Sequence, residues 1–167
     1  MKIKLNFFVF FLTGIISGSV FSETMEPSLC KTNETALFNC TTSREKIISL
    51  CESQIIQNKY IEYRHGNLKK IDFSYKIQKN SENKIYQGTF SGGNISTDML
   101  WFNNGNYTYI LFSPNTGPDG VAVTKNNMPI SSQKCVMKSL GDLSKTNELF
   151  EKKSDEDARK MIKNTSE

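Results

Sequence analysis

The stretch KKIDFSYKI, Lys69 to Ile77, alternates without a break. Ile71, Phe73, Tyr75 and Ile77 fall on one side, and Lys70, Asp72, Ser74 and Lys76 on the other. Successive side chains of a strand point to opposite faces, so this period of two predicts a half-buried antiparallel strand and excludes a helix. The same grammar recurs along the chain. KYIEYR (Lys59 to Arg64) reads as a shorter strand, and His65-Gly66-Asn67 as the turn that joins the two into a hairpin. Leu37 to Thr42 and Ile47 to Glu52 flank Ser43-Arg44-Glu45-Lys46 as another hairpin. In DMLWFNNGNYTYILF, Asn104-Gly105 lies between two aromatic-rich runs and predicts a type I′ turn. That loop sets Phe102 against Tyr107 and Leu100 against Tyr109 on one face, with Trp101 against Thr108 and Met99 against Ile110 on the other. Both faces are then largely apolar, as expected of a hairpin covered on both sides. An exposed aromatic patch used for binding is the functional alternative.

Ser113 to Gly120 is rich in Pro and Gly and reads as a loop. Val121 to Lys125 is a short strand, Asn126-Asn127 a turn, and Ser132 to Met137 a last strand carrying Cys135. Strands at this spacing with no helical pattern between them predict an all-β fold: an antiparallel small barrel or sandwich of about eight strands. From Gly141 the composition turns charged. Ser154-Asp155-Glu156-Asp157 ahead of Ala158, Met161 and Ile162 looks like a capped helix start on a thin apolar stripe. Residues 141–167 are therefore expected to form a short helix or a disordered tail after a β domain spanning 23–140.

The N-terminus predicts export. Lys2 and Lys4 precede an apolar run from Phe7 to Phe21, and Val20 and Ser22 suit signal-peptide cleavage after Ser22. The run of 15 residues falls short of the roughly 20 a spanning helix needs, so no stable membrane anchor is expected after cleavage. Loss of the leader leaves 145 residues, one domain in size, and lowers the formal charge of +4 by two. Near-neutral charge gives no argument for nucleic acid. The expected location is periplasmic or secreted.

Four cysteines remain after the leader: Cys30, Cys40, Cys51 and Cys135. In an oxidising compartment an even count predicts two disulfide bonds, with three connectivities open. Their spacing lacks the clustered pairs of a zinc site and the C-x-x-C of a thioredoxin-like motif, and a single histidine, His65, accompanies them. They read as structural, and no metal or cofactor is expected. Closing the long loop to Cys135 would contribute on the order of 4 kcal/mol.

Catalytic chemistry is sparse. His65 reads as an exposed turn residue, and nothing like G-x-S-x-G accompanies it. Ser91-Gly92-Gly93-Asn94 lacks the strand–glycine–helix context of a phosphate loop. The chain reads as a non-enzyme. Paired carboxylates remain the one catalytic alternative, since spatial pairing is invisible in sequence.

Two resemblances bear on this reading. LFNCTTSREKIISLCES, YIEYRHG and KKIDFSY together resemble an uncharacterised family of small exported bacterial proteins with an L-F-x-C…K-x-x-x-L-C…Y-x-x-Y-R-x-G arrangement. The match spans roughly Cys30 to Tyr75 and brings no activity with it. A second resemblance is to the periplasmic C-type lysozyme inhibitors (the MliC/PliC family). Phe38-Asn39-Cys40, Ser91-Gly92, Trp101-Phe102…Gly105 and Cys135 fall in the order of that family's motifs. The likeness implies a small β-barrel, loops that enter the lysozyme cleft, Ser91 as a contact, and pairing of Cys40 with Cys135 and Cys30 with Cys51. Two positions depart from the family: no tyrosine follows the S-G pair, where Ile95 stands, and Asn104 replaces the lysine before the turn glycine.

Together these predict an exported, non-catalytic binding module of the bacterial cell envelope, lysozyme-inhibitor-like, with a protein partner in the envelope or host. Its expected contacts are Ser91, Gly92, Asn94, Asn104, Tyr107 and Tyr109, and the loops expected to engage the partner are chiefly Ser91–Thr97 and Ser113–Gly120 on a rigid scaffold. The alternative is a hydrolase acting on an envelope polymer through two carboxyl groups about 5 to 9 Å apart.

Overall fold

A computed structural model describes residues 26–137 and 139–163 of the chain. The leader predicted over residues 1–22 lies outside them. The first half is an antiparallel meander of β1 (Glu34–Thr41), β2 (Ile47–Ser53), β3 (Tyr60–Asn67) and β4 (Lys70–Gln78). The second is a meander of β5 (Ile85–Gly92), β6 (Ile95–Asn104), β7 (Tyr107–Pro114), β8 (Gly120–Lys125) and β9 (Met128–Lys134). Two short strands then extend the sheets. β10 (Leu140–Gly141) pairs antiparallel with β1, and β11 (Phe150–Lys152) pairs parallel with β5. The helix α1 (Asp155–Ile162) follows. The architecture is all-β, in two sheets of five and six strands, with a single short α-helix among the described residues and one 3-10 turn at Ile56–Asn58.

Alternation along each strand decides which side chains meet between the sheets. Phe38, Leu50, Ile61, Tyr63, Tyr75 and Ile77 of the first sheet pack against Ile85, Leu100, Phe102, Leu111, Val121 and Phe150 of the second. The opposite parity of the second sheet puts Met99, Trp101, Ile110, Phe112 and Ala122 on its outer face, where they cluster with Ala158 of α1. Both faces of the aromatic hairpin are therefore covered, and Trp101 and Phe102 are core residues.

The two disulfides pair Cys30 with Cys51 and Cys40 with Cys135. The second ties β1 to the residue following β9. It lies beside an isolated bridge between Thr42 and Cys135 and so locks one sheet to the other.

Several local expectations are corrected. His65-Gly66-Asn67 is not a turn: β3 runs through to Asn67, and His65 pairs with Phe73. The glycine serves a bulge between His65 and Gly66, where a Cβ on Gly66 would clash with the Lys70 carbonyl oxygen. The connection is made instead by Leu68 and Lys69.

In the aromatic hairpin the two-residue loop is Gly105-Asn106, with Asn104 opposite Tyr107 and Phe102 opposite Tyr109. Gly105 has φ +59° and Asn106 is not among the positive-φ residues, the pattern of a type II′ loop with glycine first. The predicted facing residues change, but the parity holds, so each residue keeps its face. The doubly left-handed I′ pattern occurs at Asn126 and Asn127 (φ +50° and +63°), and it starts β9 at Met128 rather than Ser132. β9 ends at Lys134, and Cys135 lies beyond it. The charged segment after Gly141 forms the expected short helix, capped by Ser154, and also adds an edge strand to the second sheet, with the helix packed on that sheet's outer face.

Candidate functional site

At the end of the sandwich where β2 begins and β3 ends, the sheets part into a cleft of about 280 Å³. Its floor is Tyr63 and Ile48, its walls are Phe73, Tyr109, Val121 and Val123, and His65, Ser131 and Gln133 supply polar atoms. Ile130 stands exposed on the lip. The walls are held by a column of rings running across both sheets. Tyr75 stacks on Phe102 (4.2 Å between centroids), Phe102 on Tyr109 (4.9 Å) and Tyr109 on Phe73 (4.8 Å), with interplanar angles of 16°, 8° and 13°. Tyr63 tilts against the same rings at 5.1 to 5.9 Å. Each such pair adds roughly 0.5–1.5 kcal/mol beyond its buried area, so the cleft wall is rigid for an all-side-chain surface.

Electrostatically the cleft is neutral. None of its described lining residues carries a formal charge while His65 is neutral. Burial holds the His65 imidazole below the usual histidine range; Lys46 pushes the same way and Asp72 opposes them. Those two charges are engaged with each other, Lys46 Nζ donating to Asp72 Oδ2 at 2.6 Å. Burial pushes the Tyr63 and Tyr109 phenols up, so both stay protonated at neutral pH. Gln133 Oε1 is enclosed without a hydrogen-bond partner, while its Nε2 lies 3.5 Å from Ser131 Oγ.

The expected contact residues divide between two ends of the second sheet. Asn104, Tyr107 and Tyr109 lie toward the cleft end, where Tyr107 and Tyr109 line the cleft. Ser91, Gly92 and Asn94 lie at the other end of the ten-residue β6, about 30 Å away along the strand. There the predicted Ser91–Thr97 loop is a correction as well: Ser91 and Gly92 close β5, Ile95 opens β6, and only Gly93 and Asn94 form the turn. The Ser91 N–H donates to Asp155 Oδ1 at 2.8 Å, so α1 covers this backbone. The predicted Ser113–Gly120 loop is shorter too, since Ser113 and Pro114 close β7 and Gly120 opens β8, and Asn115 ties the remaining 115–119 connection to the turn. Its N–H donates to the Ser96 carbonyl (2.8 Å) and its Nδ2 to the Asn94 carbonyl (3.2 Å).

Sequence reasoning missed His65, Phe73, Tyr63 and Gln133 as cleft residues. The signal was present for three of them. Carrying the alternation of Ile61 and Tyr63 two residues further places His65 on the inner face, opposite Phe73. Gln133 was hidden by the misplaced start of β9.

The opposite end carries a charged groove of similar size, lined by Glu52, Lys59, Asp142, Lys145 and Glu148 above Leu100 and Phe150. Lys59 Nζ reaches Glu148 Oε1 at 3.0 Å and Glu52 Oε1 at 3.3 Å. The two carboxylates are thus no farther apart than the roughly 5–9 Å that paired catalytic carboxyl groups span. Lys59 holds the Glu148 carboxyl below the usual carboxylate range, the reverse of the raised acid such chemistry uses. Cys30, Glu34 and Cys51 also converge, with ligand atoms within 4.8 Å. The two sulfurs are bonded to each other, and the Glu34 oxygens accept from Arg64, Tyr60 and the Lys31 N–H, which leaves no thiolate for a metal.

Comparison with protein-family models, with curated proteins and with solved structures gives no match. Fold and cleft alone define the class: a disulfide-braced, two-sheet β domain with a neutral aromatic cleft open at one end.

Proposed function

We propose that the chain is an exported, non-catalytic binding module of the bacterial cell envelope, periplasmic or secreted, that engages a protein partner through the aromatic cleft. The observation that carries this reading is the cleft: a rigid, apolar concavity with a few convergent neutral polar atoms, the usual make-up of a recognition pocket. Tyr107 and Tyr109 are its contact residues from the expected set. A lysozyme-type hydrolase is the first partner to test, on the strength of the motif order. The two-residue turn at Gly93-Asn94 supports Ser91 as a contact less well than the cleft supports Tyr109. The hydrolase reading has the Glu52–Glu148 pair in its favour, and the lysine between them against it.

The test is binding of the purified, oxidised protein to a panel of lysozymes, with Ile130→Asp and Ser91→Ala as the two arms. Ile130 is 53 % exposed, so a charge there alters the lip without disturbing the core. Micromolar or tighter binding to one member, weakened tenfold or more by Ile130→Asp, is expected. No binding across the panel removes lysozyme as the partner, and loss with Ser91→Ala alone moves the site to the turn. Cleavage of an envelope polymer that is lost with Glu148→Gln would replace the binding reading by the hydrolase. Binding is also expected to weaken in acid. The His65 pKa is lowered from 6.5, so the neutral form prevails at pH 7, and protonation as pH falls through the lowered value puts a charge in the cleft.

A further inference from the structure

We propose that the cleft is built for an uncharged aromatic ring carrying one hydrogen-bond donor, a phenol or an indole, and that Gln133 is the residue that selects it. This rests on the cleft being the binding site and adds what enters it. Three observations converge. The walls offer flat ring surface at the end of the Tyr75–Phe102–Tyr109–Phe73 column, where Phe73 and Tyr109 are only half-buried, so a further ring finds stacking and edge contacts already in place. The volume of about 280 Å³ sits at the lower bound of small-molecule pockets, roughly 300 Å³, which suits one ring or a fused pair and excludes a long chain.

Charge decides against ionic ligands of either sign. Among the described residues no carboxylate lines the cleft to favour a cation, and no lysine lines it: Lys46 is paired with Asp72, and Lys125 lies over the ring of the lining residue Tyr107 at 5.3 Å. An anion would find no cationic wall.

Within this neutral surface Gln133 Oε1 is the one enclosed side-chain acceptor of the cleft without a donor. An enclosed polar atom left unpaired is destabilising, so a ligand that brings an O–H or N–H gains over one that does not. Discrimination of this kind comes from the site's own unpaired group and rejects the analogue that lacks the partner atom.

The experiment titrates the full, oxidised protein with p-cresol, toluene and 4-hydroxybenzoate, following amide shifts of cleft residues by NMR. p-Cresol is expected to bind about fivefold or more tighter than toluene, with the benzoate at least tenfold weaker than p-cresol. Gln133→Met, close in length and without the acceptor, is expected to bring the cresol-to-toluene ratio to about one while toluene still binds. A ratio near one in the unmodified protein overturns the proposal, as does a ratio that survives in Gln133→Met. The unmodified ligand series decides by itself if the variant fails to fold. Failure of the two readings is separable. A cresol preference without any protein partner keeps the selective pocket and removes the protein-binding reading. A partner lost through Ile130→Asp, with no cresol preference, does the reverse. A partner's Tyr or Trp side chain is told from a free phenol by whether cresol competes with a captured protein.

Discussion

The two sheets share one core, but their outer faces are covered in opposite ways. Over the first sheet lies the segment before β1, held by polar bonds. Arg64, 1 % exposed, donates through Nη1 to Glu34 Oε2 (2.6 Å) and the Leu29 carbonyl (2.9 Å), and through Nη2 to Glu34 Oε1 (2.7 Å) and Glu62 Oε2 (2.5 Å). The Tyr60 hydroxyl donates to Glu34 Oε1, Asn39 Nδ2 to the Pro27 carbonyl, and the Leu29 N–H to Ser49 Oγ, with the Cys30–Cys51 bond beside them. Over the second sheet lies α1, held by fit. Ala158 is fully buried against Trp101 and Gly88, where a Cβ on the glycine would stand 3.1 Å from the indole and 3.2 Å from the Ala158 methyl. The first cover depends on a few groups that must all be present, the second on surface contact that degrades gradually. Polar cover should therefore fail abruptly and with pH, and apolar cover by increments.

The largest effect should come from Arg64→Met. It leaves the Glu34 carboxylate buried without its counter-ion, and breaking a buried pair from one side costs roughly 3–5 kcal/mol. Urea unfolding should show that loss, and adding Glu34→Gln should recover part of it. A single variant within about 1 kcal/mol of the parent would mean that this strap, the polar-bonded segment before β1, is an ornament. Next comes the covalent anchor. Cys30→Ser with Cys51→Ser opens a loop with a sequence separation of 21, for which chain entropy gives roughly 3.3 kcal/mol, against roughly 4.7 for the separation of 95 at Cys40–Cys135. Measuring both double variants checks that order. A larger loss from the shorter loop would show that the strap's bonds fail together once the anchor is cut.

Acid separates the two covers. Burial works to raise the Glu34 pKa, but the hydrogen bonds from Arg64, Tyr60 and the Lys31 N–H, with the charge of Arg64, outweigh it and bring it from 4.5 to about 2. With the folded value below the unfolded one, this contribution is fully present above pH 4.5 and is lost as pH falls toward 2. Denaturation midpoints from pH 6 to 2 should fall across that window, and Glu34→Gln should flatten the slope. Hydrogen exchange at Leu29 and Lys31 should rise before the fluorescence of Trp101, the chain's single tryptophan, shifts under α1. Simultaneous change would erase the distinction between the covers.

The same contrast explains what could be read from the sequence. Period-two alternation marks β4, the aromatic hairpin and the inner faces, because one buried side leaves a pattern in a single strand. A register depends on which residues turn, and Asn104-Gly105-Asn106 offers two adjacent two-residue loops whose difference local chemistry does not reveal. Arg64 and Glu34 lie thirty residues apart and read as ordinary surface charges, since nothing local records that a strap folds over them. The tail's helix was legible from its cap at Ser154, but its edge strand and its packing were not. A three-residue strand carries too little pattern alone, and Gly88, which opens the seat for Ala158, lies in a strand seventy residues earlier. The cleft was half legible: Tyr107 and Tyr109 stood out as aromatics, whereas Gln133 gains meaning only once β9 sits beside β8.

The smallest effect tests the apolar cover at its end. Ser154 caps α1, its Oγ accepting from the Asp157 N–H at 3.2 Å. Loss of an N-cap hydroxyl typically costs about 1 kcal/mol, and the other support along the exposed side of this eight-residue helix is the ion pairs Arg159–Asp155 and Lys160–Glu156, worth roughly 0.2–0.5 kcal/mol each. Ser154→Ala should therefore lower global stability by no more than about 1 kcal/mol while raising amide exchange throughout α1. Because Asp155 of the same turn accepts from the Ser91 N–H, exchange at Ser91 should rise with it. The strap on the other sheet should not respond, since the hydrogen bonds of Glu34 and Arg64 run to Leu29, Lys31, Tyr60 and Glu62 and to each other, not to α1. If exchange at Leu29 rises as much as at Ala158, the two covers are coupled through the core and open as one cooperative unit. If only α1 and Ser91 respond, the helix is a separately opening element, and the second sheet's outer face is the part of the molecule that is exposed first.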